Sequence, residues 1–214
     1  MSFRSFSTST LCVAALTVAS SISAAPDPAL RDAVARKIAA EYPSLEAIYK
    51  DLHAHPELSF METRTAALVA KELRALGFDV TEKDGNAGVV AVFNNSPGKT
   101  VHVREDRDAL PLLEKTGVPY ASKAVVQDLA GKESPAMHAC AHDAHITSLL
   151  GTVRVFAALH TRWSGTLILV AQPAEEIGAA ALAMLTDGLY TRFGVPDYVI
   201  GMHVWAGLPT GTVQ

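Results

Sequence analysis

The sequence predicts an α/β fold: a largely parallel sheet with flanking helices, its ionisable chemistry gathered at the carboxyl ends of the strands. Three observations lead there. Thr166 to Ala171 is an unbroken apolar run of strand length, the pattern of a strand covered on both faces. Segments of helical apolar spacing bracket it, and a second such run follows at Tyr198 to Met202; strand, helix and strand in succession imply parallel pairing through a crossover. Ionisable residues also stand where each run stops: Asp106 and Asp108, Glu175 and Glu176, and His203. Open α/β sheets bind ligands at that edge.

Element by element, residues 29–41 and 44–53 read as two helices, with Ser44 capping the second and Pro56 closing it. Thr63 to Leu76 carries Ala66, Ala67, Val69, Ala70, Leu73 and Leu76 at helical spacing, and Gly77 suits the residue just past its end. Phe78–Thr81, Val89–Phe93 and Thr100–Arg104 are short β-rich runs separated by Gly, Asn and Pro. Asp143 is placed to cap a helix with apolar positions Ile146, Leu149, Leu150, Val153, Phe156 and Leu159. Ala179–Leu189 reads as a second amphipathic helix and Tyr198–Met202 as a second buried strand. No internal repeat, low-complexity tract or interdomain linker is visible.

The 214 residues suit one domain, and 49% apolar against 19% charged composition supports a packed core. A net charge of −4 without a basic cluster argues against a nucleic-acid partner. Residues 1–24 read as a secretory signal peptide: Arg4, the apolar run Leu11–Ala19, then small residues at Ser21, Ser23, Ala24 and Ala25. An uncleaved anchor is the alternative, but the run is about half the ~20 residues of a membrane span. The expectation is an exported protein, periplasmic or secreted, with no membrane attachment after cleavage. Residues 25–214 then form the folded part, with 17 basic against 22 acidic residues once Arg4 is removed. Losing Cys12 leaves Cys140 as the one cysteine, so no intramolecular disulfide forms. A lone exported thiol calls for burial, reactivity, intermolecular pairing or metal ligation.

Its neighbours bear on that choice. Cys140 and His142, two apart in a loop, can turn toward one ion; thiolate and imidazole suit Zn²⁺, and carboxylates also accept Mn²⁺. The rivals are a buried free cysteine beside a hydrogen-bonded histidine, and a nucleophilic cysteine activated by His142 or His145. Glu175 and Glu176 follow an apolar strand and Pro173. One carboxylate can bind a metal while the other takes a proton from the attacking water; two solvated loop acids are the alternative. His203 alone reads more readily as a hydrogen-bonded core residue at a strand end, and it becomes a ligand candidate because the other candidates fall at the same edge. His53-Ala54-His55-Pro56-Glu57 suits local capping and packing and stays outside the site, and His102 and His160 read as incidental.

With these residues in place, the chain resembles the zinc-dependent aminoacylase and carboxypeptidase superfamily, in the branch containing hippurate hydrolase and the indole-acetyl-amino-acid hydrolases. The resemblance runs from about residue 43 to the last residue. It rests on Asp51–Glu57, Asp106–Pro111, Thr116–Lys123, Met137–His145, Gln172–Glu176 and Gly201–His203. It implies Cys140, His142, Glu176 and His203 as ligands of two divalent ions, Glu175 as general base, and orienting roles for Asp106 and Asp108. The implied substrate is an N-acyl amino acid or small peptide, and a homodimer of a full-length parent fits the family. The sequence departs from the branch at Glu105 and Arg107, where small or apolar residues are usual, and at Ala141, where glycine is usual. Relatives continue into a lid or dimerisation domain and a further ligating histidine. The chain therefore reads as the N-terminal part of such an enzyme, either of an active parent or as a non-catalytic metal-binding remnant.

Overall fold

A computed structural model describes residues 27–213; the leader assigned to residues 1–24 lies outside them. The chain begins with α1 (Pro28–Ala54) and α2 (Thr63–Ala75), followed by β1 (Asp79–Asp84), β2 (Gly88–Ser96) and β3 (Thr100–Asp106). A small hairpin, β4 (Val125–Gln127) and β5 (Glu133–Pro135), leads to α3 (His142–Ala158). Then come β6 (Gly165–Gln172), α4 (Ala180–Thr186), α5 (Leu189–Phe193) and β7 (Tyr198–Gly201).

Five strands form one sheet in the order β1-β2-β6-β3-β7. β3 pairs in parallel with both β6 and β7, whereas β1–β2 and β2–β6 are antiparallel. The parallel half carries the site, because β3, β6 and β7 all end at one edge. Side chains alternate across β6: Leu167, Leu169 and Ala171 pack on one face with α1, α2 and α3, and Ile168 and Val170 on the other with Met184 and Leu189. Burial on both faces is why the run contains no polar break.

The two helices expected at 29–41 and 44–53 are one helix, running through Pro43. Pro43 lacks the N–H that would reach the Ala39 carbonyl, a loss that ordinarily breaks a helix at a cost of about 3 kcal/mol. Packing outweighs it. Leu45, Ile48 and Leu52 join the core formed with Leu149, Leu150 and Val153. Arg154 of α3 clamps both sides of the proline, donating to Glu41 Oε2 at 2.9 Å and Ser44 Oγ at 2.6 Å. Ser44 therefore does not cap a helix; its hydroxyl donates to the Glu41 carbonyl at 3.1 Å.

Three further expectations change. The helix expected at Ala179–Leu189 is two short ones, broken at Gly188, whose φ of 93° takes the chain into a left-handed turn. Asp143 is not the cap of α3, which starts one residue earlier after Ala141. β7 is not buried: Tyr198, Val199 and Ile200 are 58%, 59% and 54% exposed. It lies at the sheet edge and pairs with β3 alone, so among the described residues nothing covers its faces.

Pro43→Ala tests the account of α1. Restoring one helical N–H without disturbing the clamp should stabilise the chain by about 1–3 kcal/mol. A rise in the urea midpoint at unchanged m would show this; a fall would mean that the docking of α1 needs the proline.

Candidate metal centre

The register of β3 against β6 sets Asp106 opposite Gln172, so the acidic segment after β3 lies beside the Gln172–Glu176 segment. The 137–141 loop is stitched to the same edge by a reciprocal pair: Leu110 N–H donates to the Met137 carbonyl, and Met137 N–H to that of Leu110, each at 3.0 Å. α3 then starts with His142 and places His145 one turn on, both fully buried.

The sequence-based ligands meet there in part as one group. Donor atoms of Cys140, His142 and Glu176 lie within 4.8 Å of one another. His203 approaches Cys140 Sγ with Nε2 at 3.4 Å, and it belongs to a second group with Asp106, His142 and His145. Glu175 and Glu176 bring a carboxylate oxygen to 3.7 and 3.8 Å from His142 Nε2. The Glu175 side chain is 37% exposed and that of Glu176 16%.

Asp108 organises this edge. Its Oδ1 and Oδ2 accept the N–H groups of Glu175 and Glu176, each at 3.0 Å, and Oδ2 also accepts Ser59 Oγ at 2.6 Å. The same carboxylate lies 3.4 Å from His142 Nδ1. Burial opposes its ionisation, but the His142 and Ser59 contacts and these N–H groups hold it below the usual carboxylate range. Asp106 accepts from His145 Nδ1 at 2.6 Å and from Arg104 Nη1 at 2.8 Å. Burial again resists, yet His145, His142 and Arg104 hold Asp106 at about 2.

The residues fit a divalent cation. Among the described residues, the ring nitrogens of His142 and Oε1 of Glu176 are buried without a hydrogen-bond partner, a rare condition unless another species takes up their free lone pairs, one on the imidazole ring and those of the carboxylate oxygen. Thiolate, imidazole and carboxylate together form a donor set for Zn²⁺, with the carboxylates also suiting Mn²⁺. A nucleophilic cysteine would need a depressed pKa. Burial, Glu176, Glu175 and Asp106 instead push the Cys140 thiol up to about 11.

Ala141, between the two ligand candidates, has φ 65° and ψ 31°, the left-handed conformation that favours glycine. The two other departures from the family pattern are both buried. Arg107 is fully buried; Nη2 donates to the Ala87 carbonyl at 2.5 Å, the charges of Glu62, Glu57 and Asp108 act on it from a distance, and among the described residues Nε and Nη1 have no hydrogen-bond partner. Burial and Asp106 push Glu105 up to about 8, and nothing in the structure explains its presence.

Two histidines were placed differently from the sequence. His145, which the sequence offers as an activator of Cys140, sits against His203 with ring centroids 4.5 Å apart and accepts Val204 N–H at 3.0 Å. Its spacing of three from His142 on one helix was the available signal. His53 makes no local cap. Its Nδ1 contacts Asp143 Oδ2 at 2.6 Å and Nε2 contacts Glu114 Oε1 at 3.1 Å, joining α1 to the start of α3.

Residues 102–214 match Peptidase family M20/M25/M40. The chain belongs to that family. It is 43% identical over 168 residues to the hippurate hydrolase of Campylobacter jejuni, covering 78% of this chain and 40% of that protein. It is 38% identical over 170 residues to an N-acetyl-L-cysteine deacetylase of Bacillus subtilis, covering 79% and 38%. Among solved structures, a dinuclear metal-binding peptidase of the M20 family from Bacillus subtilis superposes with a TM-score of 0.69 at 34% identity, covering 79% and 45%. A putative aminohydrolase from methicillin-resistant Staphylococcus aureus gives 0.72 at 32%, covering 81% and 42%. The chain thus spans about two-fifths of the length of the curated relatives it matches.

Ala141→Gly measures the strain at the metal loop. Relieving the left-handed alanine, less the extra chain entropy of glycine, should stabilise the metal-free protein by about 0.5–1 kcal/mol. Urea unfolding of both forms gives the difference; destabilisation would show that the turn is unstrained.

Proposed function

We propose that residues 25–214 are the N-terminal, metal-binding part of the catalytic domain of an M20-family amidohydrolase, exported to the periplasm or secreted. In the full-length parent it cleaves the amide bond of N-acyl amino acids or small peptides. The observation that carries this reading is the convergence of Cys140, His142 and Glu176 on one point, with Glu175 alongside and more open to solvent. The hydrolytic names of its relatives agree with it.

Cys140, His142, Glu176 and His203 would hold two divalent ions, Zn²⁺ or Mn²⁺. Such ions, when bound, polarise a carbonyl and make water a stronger nucleophile at neutral pH. Glu175 supplies the proton path. Its carboxylate takes a proton from the attacking water as the new C–O bond forms, then delivers it to the nitrogen as the C–N bond breaks. Asp108 positions both glutamates through their N–H groups and stands beside His142. Nucleic acid is not a partner in this reading. None of the described helices is long and apolar enough to cross a membrane.

The test separates the adjacent acids in the full-length parent. Glu175→Gln should retain metal and lose about 10²–10⁴-fold or more in kcat with little change in KM. Glu176→Gln should lose metal. The reverse pattern would exchange their roles, and no effect from either would sink the site. Export has its own check: mass spectrometry of protein from the native host should find a new N-terminus near residues 23–25, whereas an intact Met1 in the cytosolic fraction would refute it.

A further inference from the structure

Glu62 stands just before the first turn of α2, where an acidic side chain ordinarily turns back onto the free N–H groups of the helix. It makes no such bond. Glu57 does that work from outside the helix, its Oε1 accepting Arg64 N–H at 2.9 Å and Oε2 accepting Thr65 N–H at 2.7 Å. Glu62 is fully buried, and its Oε1 accepts the N–H of Ala174, 112 residues away, at 2.7 Å.

Ala174 is itself unusual: buried, not glycine, and at φ 46°. Three successive N–H groups, those of Ala174, Glu175 and Glu176, thus end on two buried carboxylates, Glu62 and Asp108. A turn that aims consecutive N–H groups together ordinarily collects an anion; here two buried carboxyl groups of the protein take that place. The guanidinium of Arg107, also fully buried, feels the charge of both groups from a distance; among the described residues its Nε and Nη1 have no hydrogen-bond partner. Local helix chemistry has been set aside at Glu62 in favour of the turn that carries the two glutamates.

We propose that Glu62 is a positioning residue. It holds Ala174 in its left-handed conformation so that Glu176 points to the ion site while Glu175 stays free for proton transfer. What the turn does rests on the metal-site reading above; that Glu62 holds the turn does not.

The test compares Glu62→Ala and Glu62→Gln with Glu176→Gln, alone and combined, in the full chain. Amide exchange reads the turn directly. In Glu62→Ala the N–H groups of residues 174–176 should exchange at least about tenfold faster, while those of β6 and α3 keep their protection. Cobalt(II) reads the ligands. Glu62→Ala should bind it about 10–100-fold more weakly, keep the thiolate charge-transfer band from Cys140, and shift the d–d bands toward those of Glu176→Gln. Combining the two changes should add little further loss, because both act through one ligand. Glu62→Gln retains an oxygen for Ala174 N–H and should recover most of the affinity. Unchanged exchange at 174–176, fully additive losses of cobalt affinity, or a uniform loss of protection throughout the chain would each overturn the proposal. A wild-type chain that bound no cobalt would sink the metal-site reading, and the exchange pattern would still decide the role of Glu62.

Discussion

The buried carboxylate of Asp108 is the constraint on which the site depends. It lies just beyond β3, yet it accepts the N–H groups of Glu175 and Glu176 from beyond β6, takes the Ser59 hydroxyl from before α2, and borders His142 at the start of α3. Four separate stretches of chain are thereby referenced to two oxygen atoms. Such a group is costly to bury unless every lone pair is used, and the hydrogen bonds that offset its burial are the ones that place the ligand candidates. Stability and geometry at this edge are the same set of contacts.

The parallel half of the sheet makes that arrangement available. Because β3, β6 and β7 run the same way, the segments that follow them emerge on one side, and α3 returns its first turn to the same place. Apolar side chains fill both faces of β6 up to Ala171, so on that strand the ionisable residues come only after it stops. The result is a dense group of carboxylates and imidazoles, buried at Asp106, Asp108, His142 and His145 and open to solvent at His203 and Glu175. The Asp106–His145 and Asp108–His142 contacts balance part of that charge, while His142 and Glu176 keep donor atoms free for a cation.

Around this edge, strain is placed at the residues flanking the ligands. Ala141 and Ala174 both take left-handed conformations that cost a non-glycine residue about 1–2 kcal/mol. One stands between Cys140 and His142, the other directly before Glu175. Such conformations persist when the surroundings over-determine them. The reciprocal Leu110–Met137 pair holds the stretch leading into the first, and the Glu62 carboxylate holds the second. Arg107, a departure from the family pattern, is fully buried and donates to the Ala87 carbonyl, with the charges of Glu62, Glu57 and Asp108 acting on it from further off.

The sequence by itself determined the elements whose signal is local: the short β-rich run of β3, the apolar run of β6, the helical spacing of α2 and α3, and the ionisable residues that follow β6. It also supplied Cys140, His142, Glu176 and His203 as the residues to watch, because they fall in recognisable motifs. Tertiary structure decided the rest. Pro43 reads locally as a boundary, but the core contacts of α1 and the Arg154 clamp carry the helix through it. β7 reads as buried from its composition, but its edge position leaves it exposed. His53 reads as a local helix-end residue, but its partner Asp143 is 90 residues away, and the contact of Glu62 with Ala174, 112 residues on, has no local signal at all. Periodicity and propensity reflect neighbours within a few residues, whereas these contacts exist only once the register of β3 against β6 is set and α3 has docked. The chemistry at the sheet edge was therefore legible as a list of residues, and the pairing among them was not.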